Sequence, residues 1–470
     1  MKSTADRILK SARAAGRLAL TGALAISLAL PAAAQERAAP SIVRDAEIEA
    51  ILRADAEPIF RAAGLNPDDV RIHLVQDDEL NAFVTGGQQM FVFTGMILET
   101  EDPSQLQGVI AHETGHIAGG HSARSGDMQR AGMVPFLLTL AVGVLAAVAG
   151  RPDAGAAIAS SGGYFATLNV LTYSRGQEAA ADQAAASYLE TAGLTSRGLT
   201  SFFRKFRYQE VFSQARRYPY FQSHPISSDR ISSLEQRVND SPHRDAPISE
   251  ERRVRHTLMK VKLEAFLRPP SWTYARYRED DRSFNARYAR SIAYYRDANL
   301  PRALELVNGL IAENPQNPYL QELKGQMLFE NGRTADAEAP YRRAVELLPD
   351  SSLLQIAYAQ VLVALGGERL DPAIETLRTA LRRDRDNLLG WRLLGQAYDA
   401  KGQDGQARLA AAEEHFNGND FAGARLFALR ARQMLTRDTP EYRRAGDIIM
   451  ASGPSERDIR TLAEQERTGG

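Results

Sequence analysis

The sequence predicts a mainly α-helical fold in two parts, an α+β domain with a small edge sheet and then an α-solenoid. Three observations lead to this prediction. A helical segment at residues 109–117 carries two histidines four residues apart, three short segments of strand character precede it, and a 34-residue repeat pattern begins near residue 283. At 470 residues, the chain is long enough for two or three domains, each with its own core.

The charge balance and the absence of cysteine narrow the function classes. The 57 Lys and Arg residues almost cancel the 58 Asp and Glu residues, and no basic block is present that would follow a phosphate backbone. Nucleic acid is therefore not an expected partner. Because the chain has no cysteine, a bound metal ion would have to be held by histidines and carboxylates.

The first residues have the pattern of an export signal. The N-terminal segment contains five basic residues and is followed by an apolar run at residues 18–30. Small residues after this run offer a cleavage site after Ala34. We expect a signal peptide over residues 1–34 and a periplasmic mature protein if the host is a Gram-negative bacterium. An uncleaved membrane anchor is the alternative, for which the apolar run is short.

His112, Glu113 and His116 form a His-Glu-x-x-His motif on a predicted helix. Residues four apart on a helix lie one above the other, so the two imidazoles aim at a common point. That spacing suits a tetrahedral zinc ion, and the Glu113 carboxylate would lie where it can take a proton from water at the metal. Start signals for the helix occupy the N-cap, first-turn and capping-box positions: Asp102, Pro103 and Gln105.

Two acidic residues follow on a predicted alanine-rich helix. Glu178 and Asp182 are four apart and share a face. A site with two histidines on one helix needs a ligand from elsewhere, and a carboxylate on a later helix is the common solution, so Glu178 is the candidate third ligand. Asp182 would either fix a ligand histidine through its second ring nitrogen or share in proton transfer. A solvated acidic helix face is the alternative.

Two other histidines lie near these motifs. His121 follows His116 by five residues, off the shared face, and is interpreted as structural or solvent-facing. His224 precedes a proline, which favours extended backbone and therefore a loop. Lone loop histidines are usually exposed.

The region before the motif helix predicts one helix and three strands. Residues 41–63 have a helical pattern, and strand character follows at 71–75, 82–84 and 90–93. The last two segments flank Gly86-Gly87, which is a hairpin signal. An edge strand beside a zinc helix can pair with the extended backbone of a substrate, and an ordinary sheet edge is the alternative.

One stretch after the motif helix gives an ambiguous membrane signal. Residues 131–150 contain no charged residue and are long enough to span a bilayer. Pro135 interrupts the run, however, which is rich in Ala and Gly, and a similar stretch follows at 154–170. Buried or membrane-touching helices are therefore favoured over a true span.

Taken together, these motifs resemble the HtpX and BepA group of zinc metallopeptidases, family forty-eight of the metallopeptidases. The matching segments are Asn81-Ala82-Phe83 with Phe93-Thr94-Gly95, His112-Glu113-x-x-His116, Ser174-Arg175-x-x-Glu178-x-x-Ala181-Asp182, and His224-Pro225-x-x-x-x-Arg230-Ile231. The resemblance implies a gluzincin-type domain that binds one zinc ion through His112, His116 and Glu178. It also implies Glu113 as general base, Asp182 as proton donor, and His224 as a switch ligand that can close onto the metal.

The second half of the chain repeats with the tetratricopeptide period. Ala303 to Ala337, Ala373 to Ala407 and Pro315 to Pro349 each span 34 residues. The segment Trp391-x-x-Leu394-Gly395-x-x-Tyr398 has the first-helix signature, whereas Arg287 and Gln355 stand where bulky apolar residues are expected. Stacked repeats curve into a surface suited to protein docking, and a plain helical spacer is the alternative.

We therefore expect a signal peptide (1–34), a zinc metallopeptidase domain (35–265), a linker (266–282), a tetratricopeptide-repeat domain (283–450) and a tail (451–470). The resemblance implies a periplasmic metalloendopeptidase in quality control and assembly of outer-membrane proteins. Its implied partners are misfolded or stalled outer-membrane proteins and the β-barrel assembly machinery, with peripheral membrane contact. Two alternatives stay open: a mostly latent peptidase that acts as a chaperone or scaffold, and a membrane-integral peptidase of the HtpX type.

Overall fold

The computed structural model describes residues 41–121, 175–211, 224 and 227–467. The expected signal peptide and the two apolar stretches at 131–150 and 154–170 lie outside the described residues. Of the helices in the described ranges, none combines the length and apolar character that a membrane crossing requires.

The described elements are four strands and a succession of helices. The strands are β1 (Ser41–Val43), β2 (Arg71–Gln76), β3 (Ala82–Thr85) and β4 (Gln89–Phe93). The helices of the first half are α1 (Ala46–Ala62), α2 (Thr94–Glu99), α3 (Pro103–Ala118), α4 (175–191), α5 (Arg197–Val211), α6 (Ser228–Asp240), α7 (Glu250–Leu267) and α8 (Pro270–Arg276). Those of the second half are α9 (Phe284–Arg296), α10 (Leu300–Glu313), α11 (Pro318–Glu330), α12 (Thr334–Leu347), α13 (Ser352–Leu365), α14 (Leu370–Arg383), α15 (Leu388–Ala400), α16 (Asp404–Asn417), α17 (Phe421–Met434), α18 (Pro440–Ala451) and α19 (Glu456–Arg467). The predicted mainly α fold with one small sheet is confirmed.

The four strands form one sheet in the order β1-β2-β4-β3. Strand β2 is parallel to β4, and β4 is antiparallel to β3 across the predicted hairpin, where Gly87 and Gln88 have positive φ. The prediction of a helix from residue 41 is wrong at its start, because residues 41–43 are a strand. Helix α1 begins at Ala46, since the Asp45 side chain accepts a hydrogen bond from the Ile48 amide and caps the helix there.

Helix α3 lies in the middle of the first core. Its residues from Pro103 to His116 are buried, and the cluster around it draws on α1, the sheet, α4, α5 and α6. The predicted start is present: Asp102 accepts from the Ser104 amide, and Pro103 occupies the first turn. The Gln105 side chain accepts from the Glu101 amide, one residue before the expected capping-box donor.

Helix α7 contributes to two cores. Met259 and Leu263 pack in the cluster around α3, whereas Val261 and Ala265 pack with the first repeat helices. Alternate sides of one helix thus join the two halves of the chain.

The repeat helices turn at regularly spaced residues of left-handed conformation. Ala298, Gly332, Gly366 and Gly402 have positive φ at intervals of 34, 34 and 36 residues. Such a residue ends a helix and reverses the chain, a conformation that glycine adopts at little cost. Within one pair, a side chain at Gly325 would meet the Tyr341 ring at 2.6 Å, so a small residue is required there.

The two irregular repeat positions make polar contacts that account for them. Arg287 pairs with Glu313 on the neighbouring helix at 2.5 Å. Gln355 is buried, and its amide donates to the Pro349 carbonyl at 2.8 Å. Each side chain therefore makes a polar contact where an apolar residue was expected, while Arg287 Nε and Gln355 Oε1 have no hydrogen-bond partner in the described part of the chain.

A buried ion-pair network also connects the two halves. The Lys262 ammonium on α7 lies 2.8 Å from Asp45 and 3.2 Å from Glu47, which both belong to the start of α1. The Tyr288 hydroxyl on α9 donates to the same Glu47 carboxylate at 2.8 Å. Farther along the array, between α14 and α15, Asp384 pairs with Arg44 at 2.8 Å, and Asp386 pairs with Arg71. Charged contacts thus hold the repeats to the first half at two places.

Replacing Lys262 with Met should destabilise the fold by about 3–5 kcal/mol, because the buried Glu47 carboxylate and the half-buried Asp45 carboxylate would lose their cation. The matched control is Lys401→Met, since Lys401 pairs with Asp371 at the surface and such pairs contribute less than about 1 kcal/mol. Urea unfolding followed by circular dichroism measures both. Equal unfolding midpoints for the two variants would contradict the structural role of this network.

Candidate metal centre

The predicted site residues come from two helices and one loop. Helix α3 carries His112, Glu113 and His116, and helix α4 carries Glu178 and Asp182. All five side chains are buried, at 7 % exposure or less. The structure thus brings together the residues that the two sequence motifs singled out.

Close packing of the two helices makes this arrangement possible. Gly115 lies between the two histidines of the motif, and a side chain there would come within 2.9 Å of the Ala181 carbonyl oxygen on α4. Only a glycine lets the two backbones approach this closely. The approach places Glu178, one turn before Ala181, against the imidazoles of α3.

Four donor atoms converge at the centre. Nε2 of His112 lies 3.1 Å from Nε2 of His116 and 3.3 Å from the Glu178 carboxylate. Nε2 of His116 is also 3.3 Å from Glu178. His224 is the fourth member: its Nδ1 lies 3.2 Å from His112 Nε2 and 3.2 Å from both Glu178 oxygens. These four side chains form the group that could hold a metal ion.

The spacing of these atoms fits a small tetrahedral cation. Ligand atoms about 2.0–2.1 Å from a zinc ion at tetrahedral corners are about 3.3 Å apart, which is close to the observed 3.1–3.3 Å. His112 Nδ1 lies 3.0 Å from the Asp182 carboxylate, so a neutral His112 ring that keeps its N–H on Nδ1 presents the lone pair of Nε2 to the centre.

The charges around the site favour a cation at the point where the donor atoms meet. Burial opposes ionisation of Glu178, but hydrogen bonds from His112, His116 and His224 outweigh it and hold the pKa of Glu178 well below its usual range. Burial would lower the pKa of His112, but contacts with Asp182 and Glu178 raise that pKa to about 10. Burial lowers the pKa of both His116 and His224. The centre therefore attracts a cation, and His116 and His224 stay neutral, so each keeps a ring lone pair.

Asp182 contacts His112 on the side of the ring that faces away from the centre. Its Oδ1 lies 3.0 Å from His112 Nδ1, the ring nitrogen that points away from the centre. Arg230 on α6 grips the same carboxylate with two bonds of 2.7 and 2.8 Å, and its third nitrogen lies 3.1 Å from Glu178. Of the two sequence-based roles for Asp182, this geometry supports orientation of a ligand histidine.

The buried Glu113 carboxylate differs from those of Glu178 and Asp182 in its hydrogen bonding. Neither of its oxygens has a hydrogen-bond partner in the described part of the chain, although His224 Nε2 lies 3.5 Å from Oε1. Burial raises the pKa of Glu113 to about 7. A carboxylate in this state can exchange a proton near neutral pH.

Three further residues contact the donor cluster or the residues around it. His121 is half-buried, and its Nδ1 lies 2.8 Å from Nδ1 of His116, so it contacts the ring of a candidate ligand from the outer side. His224 is buried, unlike most loop histidines. In the sequence, Arg230 belongs to the motif that begins at His224, and that motif alone assigns it no role. The signal that could have found its role is the acidic pair Glu178 and Asp182, because two buried carboxylates require a cation nearby.

Comparisons with known proteins agree with this geometry. Residues 43–238 match Peptidase family M48, and residues 288–352 and 328–397 match tetratricopeptide repeats.

Among characterised proteins, the chain is 24% identical over 349 residues to a beta-barrel assembly-enhancing protease of Yersinia pestis, covering 73% of this chain and 70% of that protein. The protein of the same description in Escherichia coli strain K12 is 23% identical over 72% of this chain and 69% of its own length. Metalloprotease LoiP of the same strain is 29% identical over 37% of this chain and 64% of its own length.

Replacing His121 with Ala should weaken metal binding roughly 10–100-fold, because His116 would lose the partner of its outer ring nitrogen. Competition with a chromophoric chelator measures the affinity. His415→Ala is the control, since His415 pairs with Asp420 in the repeat array. An affinity that His121→Ala leaves unchanged would mean that the contact does not position His116.

Proposed function

The chain carries a metalloprotease domain of peptidase family M48, followed by tetratricopeptide repeats, and from this premise we propose a zinc metalloendopeptidase that acts on outer-membrane proteins during their assembly. One observation carries the zinc assignment: the donor atoms of His112, His116 and Glu178 converge with tetrahedral spacing in a buried site. Nitrogen and carboxylate donors without cysteine suit zinc. The ion, when bound, supplies a Lewis acid that polarises the scissile carbonyl.

Glu113 is proposed as the general base. Its carboxylate adjoins the donor cluster, has no hydrogen-bond partner in the described ranges, and has a pKa of about 7. It accepts the proton of the attacking water at one oxygen and passes it to the amine of the departing peptide. Burial excludes bulk water, so the proton is held for that transfer.

Asp182 and Arg230 are proposed as positioning residues. Asp182 fixes the His112 ring through the 3.0 Å contact with Nδ1, and the ionised carboxylate makes the stronger contact. The two bonds from Arg230 keep it ionised, since contacts with His112 and Arg230 outweigh burial and lower the pKa of Asp182. For this reason we do not assign Asp182 the role of proton donor.

Substrate binding is assigned to β3 and to the repeats. Among the described strands, β3 lies at the end of the sheet beside the hairpin, and its outer edge can pair with an extended substrate backbone. The repeats supply docking surfaces for protein partners. Two of the relatives are named for enhancing β-barrel assembly, which suggests misfolded or stalled outer-membrane proteins, and the machinery that assembles them, as the partners of this chain.

A periplasmic location is part of the same proposal. The basic and apolar pattern of residues 1–34 supports export by a signal peptide. The proposed domain limits remain 35–265 for the peptidase and 283–450 for the repeats, although α7 contributes to the cores of both.

Replacing Glu113 with Gln should reduce cleavage of an unfolded β-barrel protein about 10²–10⁴-fold, because the amide cannot take up the proton. Bound zinc, measured by mass spectrometry, should stay at the wild-type level, whereas His112→Ala should lose it. Glu101→Gln, at an exposed position just before α3, is the matched control. Undiminished cleavage by the Glu113 variant would remove the proposed mechanism.

His224 suggests a second function, that of a latent peptidase which works as a chaperone. Its Nδ1 joins the donor cluster while its Nε2 faces Glu113, so the imidazole lies between the metal ligands and the proposed base. Four protein ligands close a zinc site, whereas a catalytic site keeps one position open. We propose that His224 leaves this position when a substrate enters.

Replacing His224 with Ala should therefore raise the cleavage rate per bound zinc several-fold. His243→Ala, in the exposed turn after α6, is the control. Rates are compared at equal zinc content, so that loss of metal is separated from loss of inhibition. A rate equal to the wild type would identify His224 as a bystander.

A further inference from the structure

A groove in the repeat array has no role in the proposed chemistry. Its volume is about 640 Å³, and residues of α14, α15, α16 and α18 line it. Its apolar lining consists of Leu381, Trp391, Leu394, Tyr398, Leu409 and Ala410. A lining of this kind can accept several apolar side chains of a partner.

One side of the groove carries positive charge. Arg378 and Arg382 lie four residues apart on α14, and Arg385 follows the end of that helix. All three are exposed, and none forms an ion pair with another residue in the described ranges. Arg382 donates to the Thr379 hydroxyl at 2.9 Å, which leaves most of its N–H groups available.

The acidic residues of the groove do not balance this charge. Glu413 is paired with Arg444 at 2.6 Å, and Asp386 is paired with Arg71 of the sheet. Glu441 on α18 is the remaining acid of the lining. Three arginines therefore face one carboxylate, and the groove attracts an anionic partner.

The spacing of the arginines matches an extended peptide. Residues four apart on a helix are separated by about 6 Å along its axis. Side chains on one face of an extended chain are about 6.6–6.8 Å apart. A peptide that runs along α14 can therefore offer an acidic side chain to Arg378 and another to Arg382 from alternate positions. The residues between them point the other way, toward the apolar lining.

We propose that this groove binds an extended polypeptide segment in which acidic and apolar side chains alternate. This deepens the proposed function and rests on it for the source of the segment, an unfolded strand of the substrate protein. Strands of outer-membrane barrels alternate between apolar and polar residues with the same period of two. The groove would thus recognise a strand before it is built into a barrel.

Trp391 provides a direct readout of binding. It is half-buried in the groove lining, and its indole N–H donates to the Arg385 carbonyl at 2.6 Å, so the ring has a fixed position. The chain has two tryptophans, and the other is Trp272 on α8. In a Trp272→Phe background, the emission of Trp391 reports on the groove alone.

The test uses the full-length chain with Trp272→Phe and with Glu113→Gln, which prevents cleavage. The probe is a capped synthetic peptide of alternating Glu and Leu, titrated while Trp391 emission is followed. We expect saturable binding, weaker by roughly tenfold or more for a peptide with Gln in place of Glu, because each contact with arginine is charge-assisted. A peptide of the same composition with Glu and Leu in separate blocks should also bind more weakly.

Arg378→Gln combined with Arg382→Gln should abolish the preference for Glu. The matched control is Arg383→Gln on the same helix, since Arg383 pairs with Asp350 outside the groove lining. No binding, equal binding of the Glu and Gln peptides, equal binding of the block peptide, or unchanged binding by the double variant would each overturn the proposal.

Cleavage of an unfolded β-barrel protein by the chain with intact Glu113 separates this proposal from the function proposed above. If the peptide binds the groove but the wild type cleaves no unfolded β-barrel protein, the proposed function is wrong and the proposed peptide binding by the groove is still supported. If the wild type cleaves and the double variant cleaves equally well, the groove is not the docking site for substrate.

Discussion

The convergence of charged groups around Glu178 is the constraint on which the rest of the site depends. Three buried carboxylates, Glu113, Glu178 and Asp182, lie beside one guanidinium, that of Arg230. With neutral imidazoles, this group has a net charge of about −2, which is costly to bury. A divalent cation at the point where the donors meet would balance that charge. The high pKa of His112 has the same origin, because a proton on its ring lies beside the Asp182 and Glu178 carboxylates.

Packing of backbones, more than the ligands themselves, fixes where these charges lie. Gly115 allows α4 to approach α3, and the ligand turn of α4 then faces the imidazoles. Asp182 and Arg230 tie α6 to the same place through hydrogen bonds of 2.7 and 2.8 Å. Because α3 is buried along most of its length, the two motif histidines have little freedom to move. The site is therefore held by three helices whose own positions depend on the first core.

Short-range geometry predicted the local features, whereas contacts between distant residues followed from the family resemblance, as for His224, or were missed, as for Arg230. The His112–His116 spacing, the cap at Asp102 and the hairpin at Gly87 follow from short-range geometry, and the structure contains each of them. The burial of His224 and the pairing of Asp182 with Arg230 join residues that are 112 and 48 positions from their partners. No periodicity encodes such contacts. The strand at residues 41–43 was missed because its hydrophobic residues also fit a helical period.

Ion pairs connect the repeat array to the half of the chain that carries the metal centre. A ligand in the groove is therefore held at a fixed distance from that centre. Asp386 of the groove lining pairs with Arg71 at the start of β2, and β2 reaches the edge strand β3 through β4. At the first repeat helix, Tyr288 donates to Glu47, which Lys262 of α7 also pairs with. A peptide held in the groove is therefore tethered to the body that carries the proposed base Glu113. Tethering converts encounter with β3 into an intramolecular step, so even weak docking raises the local concentration of substrate.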